Sequence, residues 1–224
     1  MTRGISALFL ALMSSTAMAG NSLYLDQSGT DATITIEQMG DNNSIGTNTT
    51  GANIIGSYNT LSIAQLGMDN EMSIFIDGMS GNFTFTQDGS FNSFDISVGD
   101  YLGSDDITLS MGVEGDYNTA NVFIGNTAST SDATINLAIT GGHNIATIVE
   151  NGTDSTAAIK FTNVAIIGDT NTISVNKSGA GLQLFDLIHT GNLGTFTATQ
   201  SGTADNSATI STSGNNANFT VLQH

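Results

Sequence analysis

Three histidines, His143, His189 and His224, stand 46 and 35 residues apart, and no acid recurs at a fixed spacing from them. Catalysis needs a base, a nucleophile and a polariser brought together. No Ser or Cys nucleophile motif, dinucleotide fingerprint or phosphate loop accompanies these histidines. They read as turn or surface residues, and no enzymatic activity is expected. The chain has no Cys, which excludes a disulfide scaffold and a thiolate metal site. Acidic turns occur at Gly40-Asp41-Asn42, Gly103-Ser104-Asp105-Asp106 and Gly168-Asp169-Thr170-Asn171. Calcium is the cation such oxygen-rich turns suit, but the tandem Gly-Gly-x-Gly-x-Asp nonapeptide of calcium-binding β-rolls does not occur. No cofactor is therefore expected, and the acids read as a screened surface. Thr33/Thr35, Thr84/Thr86 and Thr195/Thr197/Thr199 are of the kind that lines flat ice-binding faces, yet along the sequence they skip repeats, and outward Thr is an ordinary strand residue.

The recurring polar residue is Gln. Asn21 to Asn43 contains one half twice, Leu23-x-Leu25-x-Gln27-x-Gly29 and Ile34-x-Ile36-x-Gln38-x-Gly40, with Gln to Gln and Gly to Gly eleven residues apart. Leu23, Leu25 and Gln27 share one parity, as do Ile34, Ile36 and Gln38, so each trio faces one side of an extended strand. Tyr24, Asp26, Thr35 and Glu37 face the other. Gly followed by Asp or Asn reverses the chain, because Gly accepts positive φ and Asx side chains bond their own backbone.

A single strand pair cannot bury its apolar face, so two halves form one coil of about 22 residues that must stack on a copy of itself. The expected fold is all-β, a β-solenoid of stacked strand-turn-strand repeats. Stacking sets Gln above Gln in a ladder, as identical side chains do in cross-β structures.

These residues resemble the curlin repeat family, whose members are subunits of curli fibres. Asn21, Leu23, Leu25, Gln27, Gly29, Gln38 and Asn43 occupy the slots of the family pattern. Asn21 stands where Ser is usual, and Asp31 or Ala32 stands near the slot of the first turn Asn. The resemblance implies a secreted structural subunit of an amyloid-like fibre in a biofilm matrix, acting in adhesion and aggregation. It also implies self-association and curli-type secretion and nucleation partners.

Residues 1 to 19 read as a secretory signal, with Arg3, an apolar run from Ile5 to Met13 and Ala17-Met18-Ala19 before Gly20. The apolar run is too short to span a bilayer, which needs about 20 residues. A secreted or cell-surface protein starting at Gly20 is expected, with no membrane insertion. Without Arg3, twenty acids face only Lys160 and Lys177. That balance argues against nucleic acid as a partner. The absence of Pro suits strands interior to a stack, each of which must donate its backbone N–H.

Residues 20 to 224 read as one repeat domain, regular over 21–92 and 195–224 and degenerate over 93–194. Ser44 to Tyr58 reads as a long turn with one short strand near Ile54 and Ile55. Gly56, Gly67, Gly78 and Gly89 then follow eleven apart, around Leu61-x-Ile63-x-Gln65, Met72-x-Ile74-x-Ile76 and Phe83-x-Phe85-x-Gln87. Asn59, Asn70 and Asn92 each lie three after their Gly. In the centre the alternation persists, for example at Phe94/Ile96/Val98 and Ile159/Phe161, while Val113, Ile139, Glu150 or Lys177 replaces Gln. Gly181 to Thr190 is the least regular stretch, readable as a strand through Leu182, Leu184 and Asp186 or as a helical turn. Phe196-x-Ala198-x-Gln200 and Phe219-x-Val221-x-Gln223 restore the pattern. The expected structural ladder is thus Gln27, Gln38, Gln65, Gln87, Gln200 and Gln223, with Asn43, Asn59, Asn70 and Asn92 and with Gly29, Gly40, Gly67 and Gly89. The competing functional reading is a soluble acidic solenoid serving as an adhesin, appendage component or virion surface protein.

Overall fold

The structure is a computed structural model that describes residues 11–13, 20–46, 51–78, 80–89, 92–98, 106–125, 133–152, 159–180, 182–202 and 206–224. Most of the expected signal segment, Gly103 to Asp105 and the loops about Asp100 and Asp132 lie outside the described residues. The strands are β1 (Ala11–Met13), β2 (Asp26–Ser28), β3 (Thr33–Met39), β4 (Ser44–Ile45), β5 (Ala52–Ile55), β6 (Asn59–Leu66) and β7 (Glu71–Asp77). They continue with β8 (Gly81–Asp88), β9 (Ser93–Val98), β10 (Ile107–Glu114), β11 (Thr119–Ile124), β12 (Ala133–Thr140) and β13 (Ile145–Gly152). The last are β14 (Ile159–Ile167), β15 (Thr172–Gly179), β16 (Leu182–Thr190), β17 (Thr195–Ser201), β18 (Asn206–Ser213) and β19 (Asn218–Gln223).

Apart from β4 and β5, which both pair with β7, successive strands alternate between two parallel sheets, the first of nine strands from β1 to β18 and the second of ten from β2 to β19. The result is a β-solenoid, with no helix among the described residues. Alternation along each strand creates it. In β3 every second residue is buried, and the register stacks Ile36, Ile63, Phe85, Met111, Leu137, Val164, Leu187 and Ile210 in one column. Ala52, Ile74, Ile96, Val122, Ile148, Val175, Ala198 and Val221 form the facing column on the second sheet. Neither sheet can hide its apolar face alone, and together they close a thin core. The expected parity holds at the first repeat, where Leu25 is 6% exposed and Tyr24 49%.

Most rungs are longer than the coil of two eleven-residue halves that the first repeat suggests. Stacked side chains show the step directly. Gln65 and Gln87 keep the short spacing, with a sequence separation of 22. Gln38 and Gln65 are separated by 27, Asn118 and Asn144 by 26, and Gln200 and Gln223 by 23. The first step shows how extra residues enter. Leu23 pairs with Ile45, while Gln27 pairs with Ile54. An advance of four positions on one rung therefore matches an advance of nine on the next. The register thus gains five residues between Ile45 and Ala52, a step that includes residues outside the described ones. Ser44 to Tyr58 thus carries two strands, β4 and β5, rather than one.

Two other expectations are corrected. Gly181 to Thr190 contains the strand β16 with the opposite parity: Gln183, Phe185, Leu187 and His189 are buried, and Leu182, Leu184 and Asp186 face outward. In β14 the buried residues are Thr162, Val164 and Ile166, and Phe161 faces outward. The sequence pairing of Ile159 with Phe161 follows the more apolar parity, whereas the register with β12 sets Thr162 beneath Ile135.

Candidate functional site

The corner after the first sheet is the most regular part of the molecule. Gly40, Gly67 and Gly89 stack there, and the column continues through Gly115, Gly141, Gly168, Gly191 and Gly214. Gly67 has φ of +126°, and a Cβ on it would overlap the carbonyl oxygen of Gly40. Both facts demand glycine. Two residues later the chain enters the left-handed region, at Asn42, Asp69, Tyr117, His143, Thr170, Leu193 and Asn216. Gly29 belongs to the other corner, beneath Gly56 and Gly78.

Three after each of the first six of these glycines, Gly40 to Gly168, a buried Asn closes the turn. Asn43 Nδ2 donates to the Gly40 and Leu66 carbonyls at 3.0 Å and to Asn70 Oδ1 at 2.6 Å. The column runs on through Asn92, Asn118, Asn144 and Asn171, with the backbone N–H of Asn118 donating to Asn144 Oδ1 at 2.8 Å and that of Asn144 to Asn171 Oδ1 at 2.9 Å. Asn118, Asn144 and Asn171 escape the sequence reading because the eleven-residue spacing lapses there. The Gly-x-x-Asn spacing persists and is the available signal. Asn59 serves the other corner, where its Oδ1 accepts from the Ala32 N–H at 3.0 Å and its Nδ2 donates to the Gly56 carbonyl at 3.1 Å.

The Gln residues split into three groups. Gln38, Gln65 and Gln87 form a ladder inside the first sheet, with Gln65 Nε2 donating to Gln38 Oε1 at 2.9 Å and Gln87 Nε2 to Gln65 Oε1 at 2.7 Å. Val113 then ends it, and Gln87 Oε1 has no partner. Gln200 and Gln223 form a second ladder at 2.7 Å in the other sheet. Gln27 is buried but stacks on Ile54, so it has no Gln above it in its own molecule.

Between Ile124 and Gln200 that second column holds Glu150 and then Lys177. Lys177 Nζ lies 3.1 Å from Glu150 Oε2, and neither side chain is exposed. Thr162 reaches both from the facing sheet, donating to Glu150 Oε2 at 3.0 Å and accepting from Lys177 Nζ at 3.0 Å. Lys177 also donates to the Leu184 carbonyl at 2.8 Å. The apolar core is interrupted by three polar groups that bond one another through Glu150 Oε2, while Glu150 Oε1 has no partner. Such an arrangement is structural, since burial denies it a substrate.

The histidines do not converge. His143 stacks on Tyr117 at an exposed corner with ring centroids 4.8 Å apart. His189 is a correction to the surface reading, because it is buried in the first-sheet column that begins with Gln38. Its Nε2–H donates to the Gly168 carbonyl at 3.3 Å. Gly194 stands where the corner Asn would be, and a Cβ there would meet the Phe196 and His189 rings. Asp116 and Asp169 are also engaged, accepting from the N–H groups of Gly142 and Asn192 in the next rung. Among the described residues no group of three or more His, Cys, Asp or Glu is placed to hold a metal.

The outer face of the first sheet carries a pattern hidden in the sequence. Register places Thr33/Thr35, Thr60/Ser62, Asn82/Thr84, Thr108/Ser110 and Thr134/Asn136 side by side in five consecutive rungs, all facing outward. Only the first of these is a Thr pair, and Thr84/Thr86 lies two rungs away and one column over, so the Thr-x-Thr pairs do not recur in consecutive coils. A shallow trough over Gly112 and Ala138 runs beside these pairs.

Comparison with known proteins returned no match to a family model, to a curated protein or to a solved structure.

Proposed function

We propose that the protein is a secreted structural subunit that stacks end to end into an extracellular curli-type fibre, serving a biofilm matrix, adhesion and aggregation. The observation that supports this best is the condition of the last rung. β18 and β19 are the terminal strands of the two sheets, and their backbone edges invite a further strand. Val221 is 40% exposed, whereas Ala198, one rung before it in the same column, is 4% exposed.

The same columns open the molecule at its other end. Ala208 and Ile210 lie in the columns of Ile34 and Ile36, and Phe219, Val221 and Gln223 in those of Leu23, Leu25 and Gln27. A second copy seated on the last rung places its Gln27 beside Gln223, which supplies the Gln neighbour that Gln27 lacks in its own molecule. Such a contact is heterologous and never closes, so it grows a filament. β1 pairs with Thr35 to Glu37 on the outer edge of β3, and removal of residues 1 to 19 frees that edge for stacking.

Electron microscopy of the purified chain starting at Gly20 tests the reading. Unbranched fibres with strands perpendicular to the axis are expected. A chain that stays monomeric at high concentration rejects it and favours a soluble acidic module.

A further inference from the structure

The two sheets do not end level. The ten strands of the second sheet occupy nine levels, because β4 and β5 lie end to end on the level next to β2 and both pair with β7. The first sheet also has nine strands, but one of them is β1. A chain starting at Gly20 therefore keeps eight first-sheet strands, β3 to β18, against nine second-sheet levels. The odd level is that of β2, which shares its coil with β1 and is left as half a coil when β1 is removed.

End-to-end stacking does not make up the difference. Seating β2 of a second copy on β19 sets Gln27 beside Gln223 and continues the second sheet. In the first sheet the copy's β3 then lies two levels from β18, about 10 Å, where a paired strand would lie about 4.8 Å away. What remains is a space one strand wide, lined by Ile34, Ile36 and Gln38 on one side and by Ala208, Ile210 and Thr212 of the same three columns on the other. Both walls are strand edges whose backbone groups need partners. The edge of β3 already shows what it accepts, a parallel strand, since Ala11, Leu12 and Met13 pair there with Thr35, Ile36 and Glu37. Beside it the Gln ladder points outward into the vacant level. Gln65 Nε2 donates to Gln38 Oε1, and Gln38 Nε2 carries a second hydrogen beyond the one it gives the Ser44 carbonyl at 3.4 Å, so a Gln on an added strand would lengthen the ladder.

We propose that the edge of β3 is an acceptor site for one strand of another polypeptide, an extended segment reading apolar-x-apolar-x-Gln that enters parallel to β3 and fills the vacant level. Backbone hydrogen bonds hold such a segment, and the alternate side chains that fall over Ile34, Ile36 and Gln38 select it. A second copy of the chain is not the donor, because its described strands are all paired within its own two sheets. At a fibre junction the inference rests on the end-to-end reading above, and the edge freed with residues 1 to 19 takes part there through the added strand. Binding to the single subunit does not depend on that reading.

A synthetic peptide with the sequence of β6, Asn59 to Leu66, serves as the probe, since it carries Leu61, Ile63 and Gln65 at the required spacing. The control peptide carries Ile63→Pro. Hydrogen exchange is read on the dilute, monomeric chain starting at Gly20, with far-UV circular dichroism establishing that it keeps its strands. Alternate amides within Thr33 to Met39, those facing the edge, are expected to exchange readily in this chain, to be slowed about ten-fold or more by the β6 peptide, and to be unaffected by the control. In the full chain β1 is expected to protect them without any peptide. During fibre growth from the chain starting at Gly20, the β6 peptide is expected to be taken up one per subunit and to speed growth. Absence of protection within Thr33 to Met39, or an equal effect of the control, would overturn the proposal. So would growth blocked by the peptide, which would mean that β3 meets β18 directly and β2 is displaced. A subunit that binds the peptide at β3 but never grows upholds the acceptor edge and rejects the fibre reading instead.

Discussion

Lys177 Nζ and Glu150 Oε2 meet at 3.1 Å with no exposure to solvent, one rung apart in a column that is otherwise Ile, Val or Gln. Rungs in a repeat stack are nearly interchangeable, so a slip by one rung is the obvious competing fold. The pair penalises it, because a slipped Lys177 would face Gln200 or Ile124 instead of a carboxylate. Taking two charges out of water is costly, and removal of one partner strands the other.

Glu150→Ala alone is therefore expected to lower stability by about 3–5 kcal/mol. The triple replacement Glu150→Ile, Lys177→Met and Thr162→Val restores an apolar column and is expected to stay near the unaltered stability or exceed it. Urea denaturation distinguishes the two. Equal losses in the single and triple variants would show that the charges contribute net stability.

Gln65 sits at the centre of the three-residue ladder and both accepts and donates. Gln65→Leu leaves Gln38 and Gln87 without their shared neighbour in a dry core. An orphaned buried amide costs about 1–3 kcal/mol, so this change is expected to cost more than Gln87→Leu, which breaks one ladder bond. Equal denaturation midpoints for the two variants would mean that the ladder does not act as a unit.

The ladder also shows what the sequence makes legible. Strand parity is readable at Leu25, Ile36 and Phe85, because alternation needs only the chain itself. Which residues stack on which is not. Gln27 and Gln38 look equivalent in sequence, yet one meets Ile54 and the other Gln65, since the register gains five residues between Ile45 and Ala52. Glu150, Lys177 and Thr162 are scattered in sequence and acquire meaning only when the register brings them together. His189 gives no signal at all, since only the register places it in the buried column that begins with Gln38.

Two glycines allow a direct test of the corner argument. Gly67 has positive φ, and a Cβ there would strike the Gly40 carbonyl, so Gly67→Ala must move backbone. Gly112 is in mid-strand, and its Cβ would meet only the Thr86 Cγ2 at 3.4 Å. Gly112→Ala is expected to be neutral or to stabilise by about 0.5–1 kcal/mol, by reducing the freedom of the unfolded chain. Gly67→Ala is expected to unfold at distinctly lower urea. The reverse order would mean that the corner column yields more easily than its geometry implies.

Growth of the fibre sets apolar and ladder contacts against charge. With residues 1 to 19 removed, twenty acids face two bases, and one of those bases, Lys177, is neutralised internally by Glu150. The last rung, residues 206–224, holds no Asp or Glu, so the acids of two stacked copies face one another across at least two rung steps, about 10 Å, comparable with the screening length of about 10 Å in 0.1 M salt. Repulsion therefore opposes each addition, and added salt or divalent cation is expected to accelerate growth. Val221 lies in the middle of the terminal strand β19, and Val221→Pro removes a backbone donor and disfavours continuation of the ladder. Light scattering and electron microscopy should then show growth blocked at every salt concentration, while circular dichroism still reports the rungs above β19. Growth indifferent to both salt and Val221→Pro would exclude stacking through this end and leave the soluble acidic module as the better account.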